Sequence, residues 1–160
     1  MLSRSSNMGR PAELGRWRPV GHSRQNRGIM ESKKTVVQEG PFAQFIPDGV
    51  RVGDLITLSG QVGLDDQGEV VAPGDLVGQA RQAYVRVAAT LEKLGAGMGD
   101  IVDETFFVTD VAAAMENIEA LWAVRAEAYG GDPQVSQTTL QVGGLVMPEL
   151  MIEIKVIASV

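Results

Sequence analysis

Cysteine is absent from the chain. Disulfides, thiolate nucleophiles and cysteine metal sites are therefore excluded. Nothing marks an oxidising compartment, so a cytoplasmic setting is the default. Histidine is nearly absent: the single one is His22. A Ser-His-Asp triad or a multi-histidine metal centre would have to be built on that residue, in a stretch that reads as unstructured, and both are set aside. No apolar run reaches the ~20 residues needed to span a bilayer. No internal repeat recurs at a solenoid period. A phosphate-cradling loop is missing too, because Gly95-Ala96-Gly97-Met98-Gly99 lacks both the lysine and the strand-to-helix setting. The acidic cluster Asp65-Asp66-Gln67-Gly68-Glu69 lacks the twelve-position ligand spread of a calcium loop and reads as a turn.

What is present is enough for one domain, at 160 residues with 44% hydrophobic side chains. The net charge of -6 is unevenly placed. Residues 1–29 carry six arginines against Glu13, a net of +5, which leaves -11 on residues 30–160. An acidic body repels phosphate backbones, so nucleic acid is not an expected partner. The basic segment is the only part suited to nucleic acid or an acidic membrane. It has Arg, Ser, Gly, Asn and Pro without hydrophobic periodicity, and it lacks the apolar core of a secretory signal. We expect residues 1–34 to form a disordered basic extension and residues 35–160 to form the domain. Met30, followed at once by globular-looking sequence, is expected to be the true start.

Within the domain, Thr35–Val37 and Phe42–Ile46 read as short extended segments separated by the Gly40-Pro41 turn. Pro47-Asp48-Gly49 is a turn by residue type. Leu55–Val62 is a strand, with Ile56 and Leu58 alternating with Thr57 and Ser59. Gly60 interrupts it beside a hydroxyl and an amide, permitting close approach of a backbone or ligand. Asp75 reads as a helix N-cap. Leu76, Ala80, Ala83, Tyr84, Val87, Leu91 and Leu94 form one helical stripe, closed by Gly95. Ile101–Val108 is a strand. Thr109-Asp110 caps a second helix running to about Tyr129, with a stripe of Met115, Ile118, Trp122 and Ala126. Thr138–Val142 and Leu150–Ile157 are the remaining strands. Two helices on one face of a mixed sheet is the economical arrangement.

Several of these stretches, taken together, resemble one family. They are Gly40-Pro41-Phe42-Ala43-Gln44, Leu58-Ser59-Gly60-Gln61, Gln79-Ala80-Arg81-Gln82, Leu94-Gly95-Ala96, Val108-Thr109-Asp110 and the run Ile152 to Ala158. In this order they resemble the Rid (reactive intermediate deaminase, YjgF-type) family, over about Val36 to Val160. The resemblance implies a chorismate-mutase-like α/β (α+β) fold, a homotrimer with a central barrel, and ligand clefts between subunits. It implies hydrolysis of imine and enamine intermediates to a 2-keto acid and ammonia, with a small metabolite as partner and neither metal nor organic cofactor. A non-catalytic trimeric small-molecule-binding or regulatory protein of the same fold is the alternative. The nuclease or translation-inhibitor activity attributed to some members is opposed by the acidic body.

By the same resemblance, Gly60 presents backbone to the ligand, flanked by Ser59 and Gln61. Asn117 lines the cleft from the second helix. Glu153 positions or activates water. Phe42 stands where the family has tyrosine, so its hydroxyl is missing. The arginine that clamps the substrate carboxylate falls on Gln137 or Thr138, neither of which is a cation. A bidentate Arg–carboxylate pair is about twice as strong as a neutral hydrogen bond, so this departure favours a neutral or differently shaped ligand. Arg125 is expected in a surface or interface role.

The residues alone allow plainer roles. Ser59 fits a strand-end hydroxyl bonded to backbone, since no histidine or lysine partner is evident. Asn117 fits a backbone bond, and Glu153, between Ile152 and Ile154, fits the solvated face of a strand.

Overall fold

The computed structural model describes residues 33–160. The expectations for residues 1–32, including the extension, Met30 and His22, lie outside the described residues.

Among the described residues, seven strands form one sheet: β1 (Lys34–Val37), β2 (Gly49–Val52), β3 (Leu55–Leu58), β4 (Gln61–Val62), β5 (Ile101–Val108), β6 (Ser136–Gln141) and β7 (Ile152–Ser159). The order is β1-β2-β3-β7-β5-β6, with β4 also pairing with β7. All pairs are antiparallel except β5–β6, whose parallel register needs the helical crossover between them. The helices are α1 (Leu76–Lys93), α2 (Val111–Glu116) and α3 (Ile118–Tyr129), with a short 3-10 turn at Met98–Asp100.

The alternation in β7 decides which face is core. Ile152, Ile154, Val156 and Ala158 are buried, whereas Glu153, Lys155 and Ile157 point the other way. Buried residues of β3 and β5 join them under α1 and α3, with Ile56, Leu58, Phe106 and Val108 almost wholly enclosed. Each such large apolar side chain contributes roughly 1.5–3 kcal/mol by leaving water. Every residue of the expected α1 stripe is buried. Asp75 caps that helix by accepting the Gly78 amide at 3.0 Å, and Gly95 follows it with φ +76°.

Four local expectations are corrected. Phe42–Ile46 is not extended: Ala43 N donates to Gly40 O, and Phe45 N and Ile46 N to Phe42 O, making a ladder of tight turns. Gly49, read as the end of a turn, opens strand β2, which runs on through the unassigned residues to Val52 and joins β3 through Gly53 at φ +61°. The single strand over Leu55–Val62 breaks at Ser59-Gly60. The second helix divides at Asn117, and its core face is Ala114, Leu121, Val124 and Arg125, while Met115 and Trp122 are exposed. The run Ala120-Leu121-Trp122-Ala123-Val124 is apolar on all sides, so its spacing does not fix the buried face.

Arg125 is the largest surprise. It is 9% exposed, and its Nε donates to Glu104 Oε2 at 2.6 Å. The Tyr84 and Tyr129 hydroxyls donate to Glu104 Oε1 at 2.8 and 3.0 Å. The Arg125 guanidinium lies 5.3 Å from the Tyr129 ring centre and 5.6 Å from that of Trp122. A buried carboxylate needs such partners. The guanidinium is therefore committed to the core rather than to a surface or interface.

Candidate functional site

The break between β3 and β4 positions the site. Register pairs Gln61 with Ile154 and Val62 with Glu153. Gln61 therefore joins the helix-side core, whereas Val62 and Glu153 stand on the face that none of the described helices covers. Between the two short strands, Gly60 lies directly against Glu153. A Cβ at Gly60 would fall 1.8 Å from Glu153 Oε1, 2.3 Å from Cδ and 2.6 Å from Cγ. With glycine there, the Glu153 carboxylate can occupy the place a side chain would take.

Above Glu153 is a cavity of about 290 Å³. Phe42, Phe45 and Ile46 of the turn ladder, together with Val62 and Val146, form apolar walls, and Gly60 completes it. Among the described residues, Glu153 is the only charged one that lines it. Burial pushes the Glu153 carboxyl above its ordinary range, and Lys155 pulls it back in part. A half-buried carboxylate in an apolar cup, with its basicity raised by desolvation, is chemically suited to accept a proton from water.

Of the residues singled out from sequence, Phe42, Gly60 and Glu153 meet in this cavity. Ser59 and Gln61 stand just behind it and line a second space of about 20 Å³ shared with Phe42 and Gly60. The Ser59 hydroxyl donates to Pro47 O at 2.7 Å, the backbone-bonded role. Gln61 is buried and donates to Ser59 O at 3.0 Å. The other three lie elsewhere in the chain. Asn117 is exposed and donates to Ala113 O at 2.9 Å. Gln137 bonds Thr139 Oγ1 at 2.9 Å on the edge strand β6. Thr138 stands on the open face in one row with Thr105 and Lys155.

Sequence reasoning missed the walls, Phe45, Ile46, Val62 and Val146. Val62 was within reach of it, because pairing β4 with the alternation of β7 puts Val62 beside Glu153. Among the described residues, no group of three or more acidic or imidazole side chains is arranged to hold a metal ion. No described helix is long and apolar enough to cross a membrane.

The mixed α+β fold defines a class of protein, and comparison with known proteins agrees. The family model described as endoribonuclease L-PSP matches residues 36–160. The chain belongs to this family, also known as the YjgF/Rid family. The YjgF gene product from E. coli is 31% identical, with TM-score 0.67 over 80% of this chain and 98% of that one. A YjgF/YER057c/UK114 family member from Mycobacterium tuberculosis is 27% identical, with TM-score 0.66 over 80% and 100%. The Rid-family protein YyfA from Yersinia pestis, itself described as of unknown function, is 26% identical, with TM-score 0.69 over 80% and 100%.

Proposed function

We propose that the chain hydrolyses small imines and enamines in a cleft that neighbouring subunits of a homotrimer complete. The observation that carries this reading is the Glu153 carboxylate, packed on Gly60 at the base of an apolar cavity of about 290 Å³. The imine carbon sits over the carboxylate with its hydrocarbon part against Phe42 and Ile46. An enamine reacts as its imine tautomer. Glu153 takes one proton from water as the oxygen bonds to the imine carbon and passes it to the imine nitrogen, giving the carbinolamine. It then takes the hydroxyl proton and hands it to the amino nitrogen as the C–N bond breaks, so that C=O forms and ammonia leaves. No step passes through a metal or an organic cofactor.

The trimer is supported by the uncovered sheet face. Val36, Val52, Leu55 and Leu140 are exposed there, and apolar side chains gathered on one exposed face commonly mark an interaction site. In this arrangement Asn117, Gln137 and Thr138 reach the cavity from the neighbouring subunit. A cytoplasmic setting, and neither nucleic acid nor membrane as partner, belong to the same reading.

The substrate is a neutral imine or one whose carboxylate is held away from Glu153. Among the described residues no cation lines the cavity, and a carboxylate beside Glu153 meets repulsion. The same observation favours a second reading, a trimeric binding protein without catalysis. Ammonia and carbonyl release from enzymatically generated imines separates the two. Wild-type release that Glu153→Ala abolishes supports the hydrolase. Silence in wild type, Glu153→Ala and Thr138→Arg supports the binder. A monomer by light scattering overturns both.

A further inference from the structure

One wall of the Glu153 cavity is not part of the sheet. It is the ladder of turns over residues 42–46, and a single carboxylate secures its root. Asp48 Oδ2 accepts the backbone amides of Glu39 at 2.7 Å and Gly40 at 2.8 Å. The main chain of the same residue holds the opposite side. The Asp48 amide donates to Val37 O at 2.8 Å, and its carbonyl accepts the Ser59 amide at 2.9 Å. An aspartate in an ordinary turn ties residues about two positions apart. This one reaches back eight and nine residues and forward eleven.

Two further features belong to the same clasp. Arg86 of α1 brings Nη2 to 3.8 Å from Asp48 Oδ1, with both side chains largely buried. At Gly40 a Cβ would fall 2.1 Å from Asp48 Oδ1 and 2.8 Å from Arg86 Nη2. The missing side chain at Gly40 is what lets the clasp close. Carboxylate bonds to amides with a guanidinium nearby are charge-assisted, and stronger than neutral bonds.

We infer that Asp48 is a positioning residue for the Glu153 site: its carboxylate, backed by Arg86, fixes the 42–46 wall while its main chain fixes the Ser59-Gly60 edge. Only the activity arm of the test rests on the hydrolase reading. The structural arm uses Glu153 itself as a reporter, because its burial depends on that wall. No residue of the ladder, of β4 or at Val146 brings a second titratable group to the cavity, and Lys155 on the same strand is the charged neighbour.

The experiment follows the carboxyl carbon of Glu153 by NMR through a pH titration. It compares wild type, Asp48→Ala, Asp48→Asn and Gly40→Ala, each checked for folding by circular dichroism. Asp48→Ala and Gly40→Ala should move the Glu153 midpoint down toward the ordinary carboxylate range, and Asp48→Asn part of the way. If the hydrolase reading holds, kcat/KM falls on the order of a hundredfold, the effect of a misplacement of about 1 Å, and the acidic limb moves with the midpoint. An unmoved midpoint in folded Asp48→Ala and Gly40→Ala overturns the inference. If Asp48→Ala does not fold, an unmoved midpoint in Asp48→Asn overturns it. A midpoint that moves in the variants while wild type itself releases no ammonia upholds Asp48 and removes the hydrolase.

Discussion

Replacing Gly60 by alanine is the sharpest test of how the site is built. The backbone of Gly60 lies outside the left-handed region, so alanine meets no conformational penalty there. What the new methyl meets is the Glu153 side chain, at 1.8 Å from Oε1, 2.3 Å from Cδ and 2.6 Å from Cγ. These atoms belong to a flexible side chain, which can rotate away. The change should therefore affect stability by less than about 1 kcal/mol, while Glu153 leaves the cavity. Gly63→Ala supplies the contrast. Its methyl would fall 2.9 Å from both Cα and Cβ of Gln79. Gln79 is wholly buried and bonded to Glu149 O at 2.9 Å and to the Met151 amide at 2.8 Å. It has nowhere to move, and overpacking of that kind costs about 1–3 kcal/mol. In a melting experiment this is several degrees for a domain of this size. The prediction is therefore crossed. Gly60→Ala retains its melting temperature and returns the Glu153 titration to the ordinary carboxylate range. Gly63→Ala melts several degrees lower with Glu153 unmoved. A Gly60→Ala protein that melts like Gly63→Ala, with Glu153 still titrating high, would refute the packing argument.

Three further outcomes are expected. Burial raises the Glu153 pKa in the folded state, so its favourable contribution is full below the unfolded value of about 4.3 and is lost as pH rises through the folded value. Urea titrations across that window should show wild type losing stability relative to Glu153→Gln, with a constant difference above it. Arg125→Met strands the fully buried Glu104 carboxylate and should lower unfolding free energy by about 3–5 kcal/mol, whereas Tyr84→Phe should cost roughly 1 kcal/mol. Asp75→Ala removes the α1 cap and should cost about 1 kcal/mol by chemical denaturation.

The parts of the molecule legible in sequence are those with a clean period or a local chemical signature. Seven apolar positions of α1, the alternation in β7 and the Asp75 cap need nothing beyond neighbouring residues to be read. The 42–46 ladder was misread because five mainly apolar residues after Gly-Pro are compatible with either a strand or successive turns. The face of α3 escaped because its apolar residues surround the helix. Within the site, Gly60 and Glu153 were each recognisable in their own motif. Their contact depends on the antiparallel register of β4 with β7, which links residues 93 positions apart. Asp48 and Arg125 carry ordinary turn and surface chemistry in sequence, and only the long-range pairings give them other work.

β7 comes later in the chain than every strand it touches, yet it lies at the middle of the sheet, between β3 and β5. On the ribosome, the segments that will flank it emerge first and have no partner to join them. Apolar edges of β3 and β5 must wait, exposed, until residues 152–159 leave the exit tunnel. Such late, non-local closure is slow and leaves a nascent chain open to misassociation. Because Glu153 travels on that strand, the carboxylate joins its cavity only when the whole sheet is zipped. A half-made chain of this protein has no partial site, and quality control acting on the unfinished sheet also controls the appearance of its chemistry.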